Sequence, residues 1–173
     1  MRSGYRELAD MLVMANMLIS TVLALAVALT RGSVQDANAS DFQLRVTFDV
    51  CSNDAIDTAR DEYVRTIRPG LTRSARLNLT SAQRLRIQRL IEDVRLTEYP
   101  DEFTPPLTMM REPAPVYRIE LRRNGRHHAV NWTDYGSTSA GAQRLRAMLD
   151  QLRELVLAIP AVQRLPKSEI FCL

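Results

Sequence analysis

Lysine is nearly absent from this chain: Lys167 is the only one, and arginine supplies the rest of the 23 basic residues. A bias that complete reads as a codon preference rather than a recognition device. Histidine is confined to His127 and His128, and aromatic residues make up only 6% of the chain. The stretch holding Arg73, Arg76, Arg84, Arg86, Arg89 and Arg95 is interrupted by Glu92, Asp93 and Glu98. Nucleic-acid binding needs a clustered basic patch with bases to stack on aromatics, so no nucleic-acid partner is expected. With 6 glycines in all, there is no glycine-rich phosphate loop. No cofactor is implied.

What the chain does have is an uncharged run from Met11 to Thr30, preceded by Arg2 and Arg6 and followed by Ala37-Asn38-Ala39. The small residues have signal-peptidase spacing, which marks an export signal. About 20 uncharged residues also suffice to span a bilayer as a helix, so a retained anchor is the alternative. Glu7 and Asp10 weaken the positive flank, whereas Asn16, Ser20 and Thr21 lower the hydrophobicity. Residues 1–39 are therefore a signal peptide or N-terminal membrane anchor. Both place the single domain of residues 40–173 outside the cytoplasm, periplasmic or secreted. Membrane contact is limited to the N-terminal segment, if it is uncleaved.

Cys51 and Cys172 bracket nearly the whole domain. An even pair in an exported chain points to a disulfide. In the chain-entropy model so long a loop stabilises by at most ~4–5 kcal/mol. The bridge would also tie down a tail expected to fray after Pro166.

Phe42, Leu44, Val46, Phe48 and Val50 alternate with polar residues, which predicts a half-buried strand. Ser52 to Asp57 reads as a turn. Further strands are predicted over 61–68 and 71–79, joined by Pro69-Gly70 at the centre of a type II turn. Thr80 and Gln83 have capping-box spacing ahead of the stripe Ile87, Leu90, Ile91 and Val94. A proline-broken loop follows from Pro100 to Pro115. Asn124-Gly125 predicts a type I′ hairpin, which sets Leu121 opposite His128, Ile119 opposite Val130 and Tyr117 opposite Trp132. A last helix over 139–158 has the core stripe Leu145, Met148, Leu149, Leu152, Leu155, Val156 and Ile159. Arg144, Arg146, Asp150, Arg153 and Glu154 are placed on its far side. The expected fold is α+β: an antiparallel sheet of four to five strands with two helices packed on one face.

Chemistry-bearing residues are sparse. Adjacent histidines in a strand point to opposite faces, so His127 and His128 do not share an ion, and no metal site is expected. Asp134 beside Gly136 fits a structural turn. Ser137, Thr138 and Ser139 fit a helix-entry cap, with no histidine placed to activate them. No catalytic residue is assigned and the domain is not expected to be an enzyme. The loop from Pro100 to Pro115 is the expected partner surface. Its Phe103, Met109 and Met110 offer adaptable apolar contact, and its prolines lower the entropy lost on docking.

The runs Leu77-Asn78-Leu79-Thr80-Ser81-Ala82 and Pro115-Val116-Tyr117-Arg118-Ile119-Glu120-Leu121 carry a resemblance. So do Asn124-Gly125-Arg126-His127-His128-Ala129-Val130, Trp132-Thr133-Asp134 and the leucine-striped last helix. From Leu71 to Leu157 the chain resembles emfourin-like domains, inhibitors of protealysin-like (thermolysin-type) metalloproteases. It also resembles a sister group of exported domains of unknown function, which carry a cysteine after the first strand, as Cys51 is here. The glycine pair of emfourin-like chains has no counterpart between Phe42 and Arg68, so no inhibitory residue is transferred. The expected function is an exported, non-catalytic binding module with an unknown protein partner. Inhibition of a thermolysin-type metalloprotease is the alternative, and an enzyme the third.

Overall fold

Leu44, Val46 and Phe48 are buried along β1 (Gln43–Asp49), while the residues between them face outward. That alternation turns one side of the strand into core. The computed structural model describes residues 41–49, 53–107 and 113–170. The hydrophobic segment 1–39, Cys51, Cys172, Met109 and Met110 lie outside the described residues. The described elements belong to a compact unit beginning at Asp41.

After β1 come β2 (Asn53–Asp57), β3 (Glu62–Arg68) and β4 (Leu71–Arg76). Helix α1 (Ser81–Val94) and a single 3-10 turn at Leu96–Glu98 lead to the short strand β5 (Glu102–Phe103). The hairpin β6 (Val116–Arg123) and β7 (Arg126–Thr133) precedes α2 (Ala140–Leu157) and the one-turn α3 (Pro160–Gln163). The strands form one seven-stranded sheet in the order β4-β3-β2-β1-β6-β7-β5. All pairs are antiparallel except β5 with β7. The α+β class holds, but among the described residues the four-to-five-stranded antiparallel sheet is corrected to a mixed one of seven, and two helices to three.

The two additional strands have physical causes. β2 was expected to be a turn, and of its two inward residues, Ile56 and Asp54, the second is a carboxylate. That carboxylate is buried and accepts the Tyr63 hydroxyl at 2.9 Å and the Thr66 amide at 2.9 Å. Both partners belong to β3, so the acid completes the ladder instead of breaking it. β5 is too short for any periodicity. It exists because Asn131 N–H of β7 donates to the Asp101 carbonyl at 2.7 Å. β4 stops at Arg76 rather than Leu79, since Asn78 takes a left-handed conformation and donates its amide to Asp61.

The other turns follow the sequence. Asn124 and Gly125 both have positive φ, and the hairpin pairs Tyr117 with Trp132, Ile119 with Val130 and Leu121 with His128. Gly70 has φ 75°, as the third position of a type II turn requires. Thr80 and Gln83 make the reciprocal capping box. Ser139 caps α2 by accepting the Ala142 amide.

Ile87, Leu90, Ile91 and Val94 of α1 and Leu145, Met148, Leu149, Leu152 and Val156 of α2 join one core with the inward residues of β1, β2, β3, β6 and β7. Leu155, expected in that stripe, is only partly buried. The opposite sheet face carries Arg45, Asp57, Glu62, Arg118, Glu120 and Arg122. Among the described residues no helix is long and apolar enough to cross a membrane. The tail does not fray directly after Pro166. Arg65 donates to the carbonyls of Leu165 and Pro166, and Glu169 N–H donates to Ile67 at 2.7 Å. Ile67 sits at a β-bulge, which takes its carbonyl out of the ladder and leaves it for the tail.

Candidate binding surface at the β5 edge

Trp132 is buried at the end of β7, and the ring of Phe103 lies 5.9 Å from it, centroid to centroid. Tyr99 packs edge-on against Phe103 at 4.9 Å, and Tyr117 lies 5.3 Å from Trp132. Phe48 continues the row at 6.0 Å from Tyr117. Such offset and edge contacts each add ~0.5–1.5 kcal/mol beyond burial. Phe103 was expected to protrude from the proline loop. It is instead half-buried, held inward by β5 pairing, and its ring lies against Gly141, where an added Cβ would come within 3.2 Å of it.

The loop beyond Phe103 is pinned from the other side. Ser137 donates its hydroxyl to the Pro106 carbonyl at 2.8 Å. Ser137 is itself positioned by a tight turn in which Asp134 accepts the Gly136 amide at 2.9 Å. Asp134 is buried and takes a bidentate pair from Arg146 at 2.8 and 2.7 Å. The guanidinium of Arg146 also stands 5.8 Å above the Trp132 ring. Arg146 was expected on the solvent side of α2, and this pair corrects that. Its hydrogen bond to Asp134 pushes the Arg146 pKa up, against the opposing effect of burial. The Tyr117 hydroxyl is also shifted up, first by burial and then by the charges of Asp134 and Asp150.

Between these two anchors lies a recess of about 410 Å³ whose walls include Phe103, Pro105, Leu107, Val116, Trp132 and Tyr135. Leu107 is 63% exposed and Val116 40%. Apart from Leu85 on α1, they are the exposed large hydrophobic residues among those described. A larger hollow of about 730 Å³ lies at the tip of the β6–β7 hairpin. Four of its rim charges are paired within the domain, Arg123 with Glu92 at 2.7 Å and Arg95 with Glu98 at 3.7 Å, and Arg126 adds a further charge. The recess at β5 is the better fit to an apolar side chain.

His127 is exposed on the open face and His128 half-buried on the helix face, as strand alternation requires. His128 Nδ1 lies 4.0 Å from an Asp101 oxygen. Among the described residues there is no cluster of three or more metal-ligating side chains. Ser137 and Ser139 are engaged in the loop and the α2 cap, and Asp134 in its arginine pair. What this arrangement does chemically is to hold an apolar recess open beside a proline-rich loop.

The class these features define is an α+β domain with a mixed sheet, helices on one face and an apolar recess at one sheet edge. Compared with known proteins, the chain matches no family model and no curated sequence.

Proposed function

We propose that this is an exported, non-catalytic binding module that captures a protein partner at the β5 edge. The observation that carries this is the apolar recess bounded by Phe103 and Trp132, with Leu107 and Val116 exposed beside it. In sequence the loop between them also contains Met109 and Met110, residue types that give deformable apolar contact. Pull-down from periplasmic extract, with the captured protein identified by mass spectrometry, tests this. Leu107→Glu with Val116→Glu, and Met109→Ser with Met110→Ser, should each reduce recovery. Equal recovery by all versions would remove the recess and loop as the partner surface.

The exported location rests on the N-terminal segment, and a disulfide is the expected consequence of that location. Neighbours of both cysteines meet on β3: Asp54 accepts from Thr66, while Pro166 and Glu169 bond to Arg65 and Ile67. We expect Cys51 and Cys172 to be bridged in protein from an oxidising compartment. Two free thiols in periplasmic material would overturn that.

A second, sharper form of the proposal is an emfourin-like inhibitor of a thermolysin-type metalloprotease. It is supported by the β6–β7 hairpin, which lies in the stretch that carries the resemblance and has the register its Asn124-Gly125 turn predicts. Titration of purified chain against such a protease decides it. Undiminished peptide hydrolysis at excess inhibitor would leave only the general binding role.

A further inference from the structure

At the other end of the strand order, β4 has a partner on one side only. Leu77 N–H donates inward to the Asp61 carbonyl at 2.9 Å. The antiparallel register then turns the main-chain groups of Ala75 and Arg73 toward Tyr63 and Arg65. By alternation, the N–H and C=O groups of Thr72, Ser74 and Arg76 point away from the sheet. Thr72, Arg73, Ser74 and Arg76 are all exposed. The Thr72 carbonyl receives only the guanidinium of the adjacent Arg73, at 3.0 Å.

The charge at this edge is one-sided. Arg65 and Arg73 stand directly opposite each other across the β3–β4 pair, a like-charge placement that is destabilising on its own. Arg68, Arg73 and Arg76 form none of the ion pairs found among the described residues. Glu62, opposite Arg76, is the one acid in the ladder.

We infer that β4 accepts an extended, acidic segment of a partner protein as an eighth strand. The outward main-chain groups of Thr72, Ser74 and Arg76 would supply the hydrogen bonds, and the arginines the selectivity. Residues 73 and 76 are separated by an odd number, so their side chains lie on opposite sheet faces. A strand that meets both therefore carries carboxylates three positions apart, with β-branched residues between them. A second copy of this chain is a poorer occupant, because β4 itself carries two arginines and no acid to meet them. This surface is at the opposite edge from the recess and stands or falls independently of it.

The test uses the full-length chain in mild detergent and fluorescence anisotropy of a labelled eight-residue peptide. The peptide is built of valine and threonine with glutamate at its third and sixth positions. It is expected to bind about tenfold tighter than the same peptide with lysines. Arg73→Glu with Arg76→Glu should reverse that preference, and salt should weaken binding of the glutamate peptide. Methylating alternate amides along one edge of the peptide should abolish binding without touching the protein. Three results would overturn the inference. Failure of both peptides to bind would mean the arginines merely guard the edge against aggregation. Undiminished binding of the methylated peptide would mean attraction of charge without strand pairing. Dimers dissociated by Ser74→Pro would mean the edge belongs to a second copy.

Discussion

The two edges of the sheet are finished in opposite ways. On one side, β7 is closed by only two residues of β5, and the closure is completed by side chains: Phe103 against Trp132 and Tyr99, Ser137 against Pro106. On the other, β4 is a six-residue strand with alternate main-chain groups turned outward and arginines that form none of the ion pairs among the described residues. The first edge is shaped to take an apolar side chain, the second an acidic main chain. An edge can thus be used through its side chains or through its backbone, and the choice follows from how much of the strand is already covered.

The largest effect should come from breaking the β5 edge at its base. Trp132→Ala removes the ring on which Phe103, Tyr117 and Arg146 rest, and is expected to cost about 3–5 kcal/mol. Urea unfolding followed by circular dichroism reads this, and an effect below about 1 kcal/mol would show that the aromatic row is dispensable.

The β4 edge should instead respond to direction. Ala75→Pro removes an inward amide from the ladder and should destabilise by ~3 kcal/mol or more. Ser74→Pro removes an outward amide, and the expected loss is smaller, about 1 kcal/mol. Equal losses in thermal melts would mean the assigned alternation is wrong.

Next in size is Asp134→Ala. The carboxylate is 7% exposed, its Arg146 partner 33%, so the cost of a broken buried pair is reduced by solvent at the arginine. We expect about 2 kcal/mol, together with increased proteolysis near Pro106, because Ser137 loses its turn. A cleavage pattern unchanged from the parent would separate the turn from the loop.

The smallest effect is a pH dependence. Burial shifts the hydroxyls of Tyr63 and Tyr117 up, with the charge of Asp54 acting on Tyr63 and that of Asp134 on Tyr117. A raised folded value means that their contribution is complete below the ordinary tyrosine range near ~10. It is lost as pH rises through the folded values. Stability should therefore decline in strongly alkaline solution, and Tyr63→Phe should flatten part of that decline. The same substitution leaves one Asp54 oxygen without its donor, an offset of about 1–3 kcal/mol present at neutral pH.

Where a local rule settles structure, the sequence was sufficient. The Asn124-Gly125 turn and the alternation around it yield the hairpin register residue by residue, and Thr80 with Gln83 places the start of α1. β2 escaped because one of its two inward residues, Asp54, becomes strand-compatible only after Tyr63 and Thr66 are folded beside it. Arg146 was assigned to solvent on helical periodicity alone. Its partner Asp134 reaches it only once β7 and α2 have docked, and no local pattern encodes that. Phe103 was read as a loop residue because two paired residues leave no period. The recess depended on the last two of these long-range placements, so the proline loop was legible and the pocket beside it was not.

The position of β1 has a kinetic consequence. The strands from β1 to β4 are joined in chain order, and β6 and β7 share a two-residue turn, so each half-sheet consists of near neighbours. The two halves join where β1 pairs with β6, with Asp49 opposite Val116, closing about 70 residues of chain at an entropic cost that grows with loop length. That pairing is expected to be the slow step of folding. Val46→Ala and Ile119→Ala, on facing positions of the join, should slow refolding, whereas truncations on β4 should mainly hasten unfolding. The joint between the halves would then set how long both edges stay exposed after synthesis.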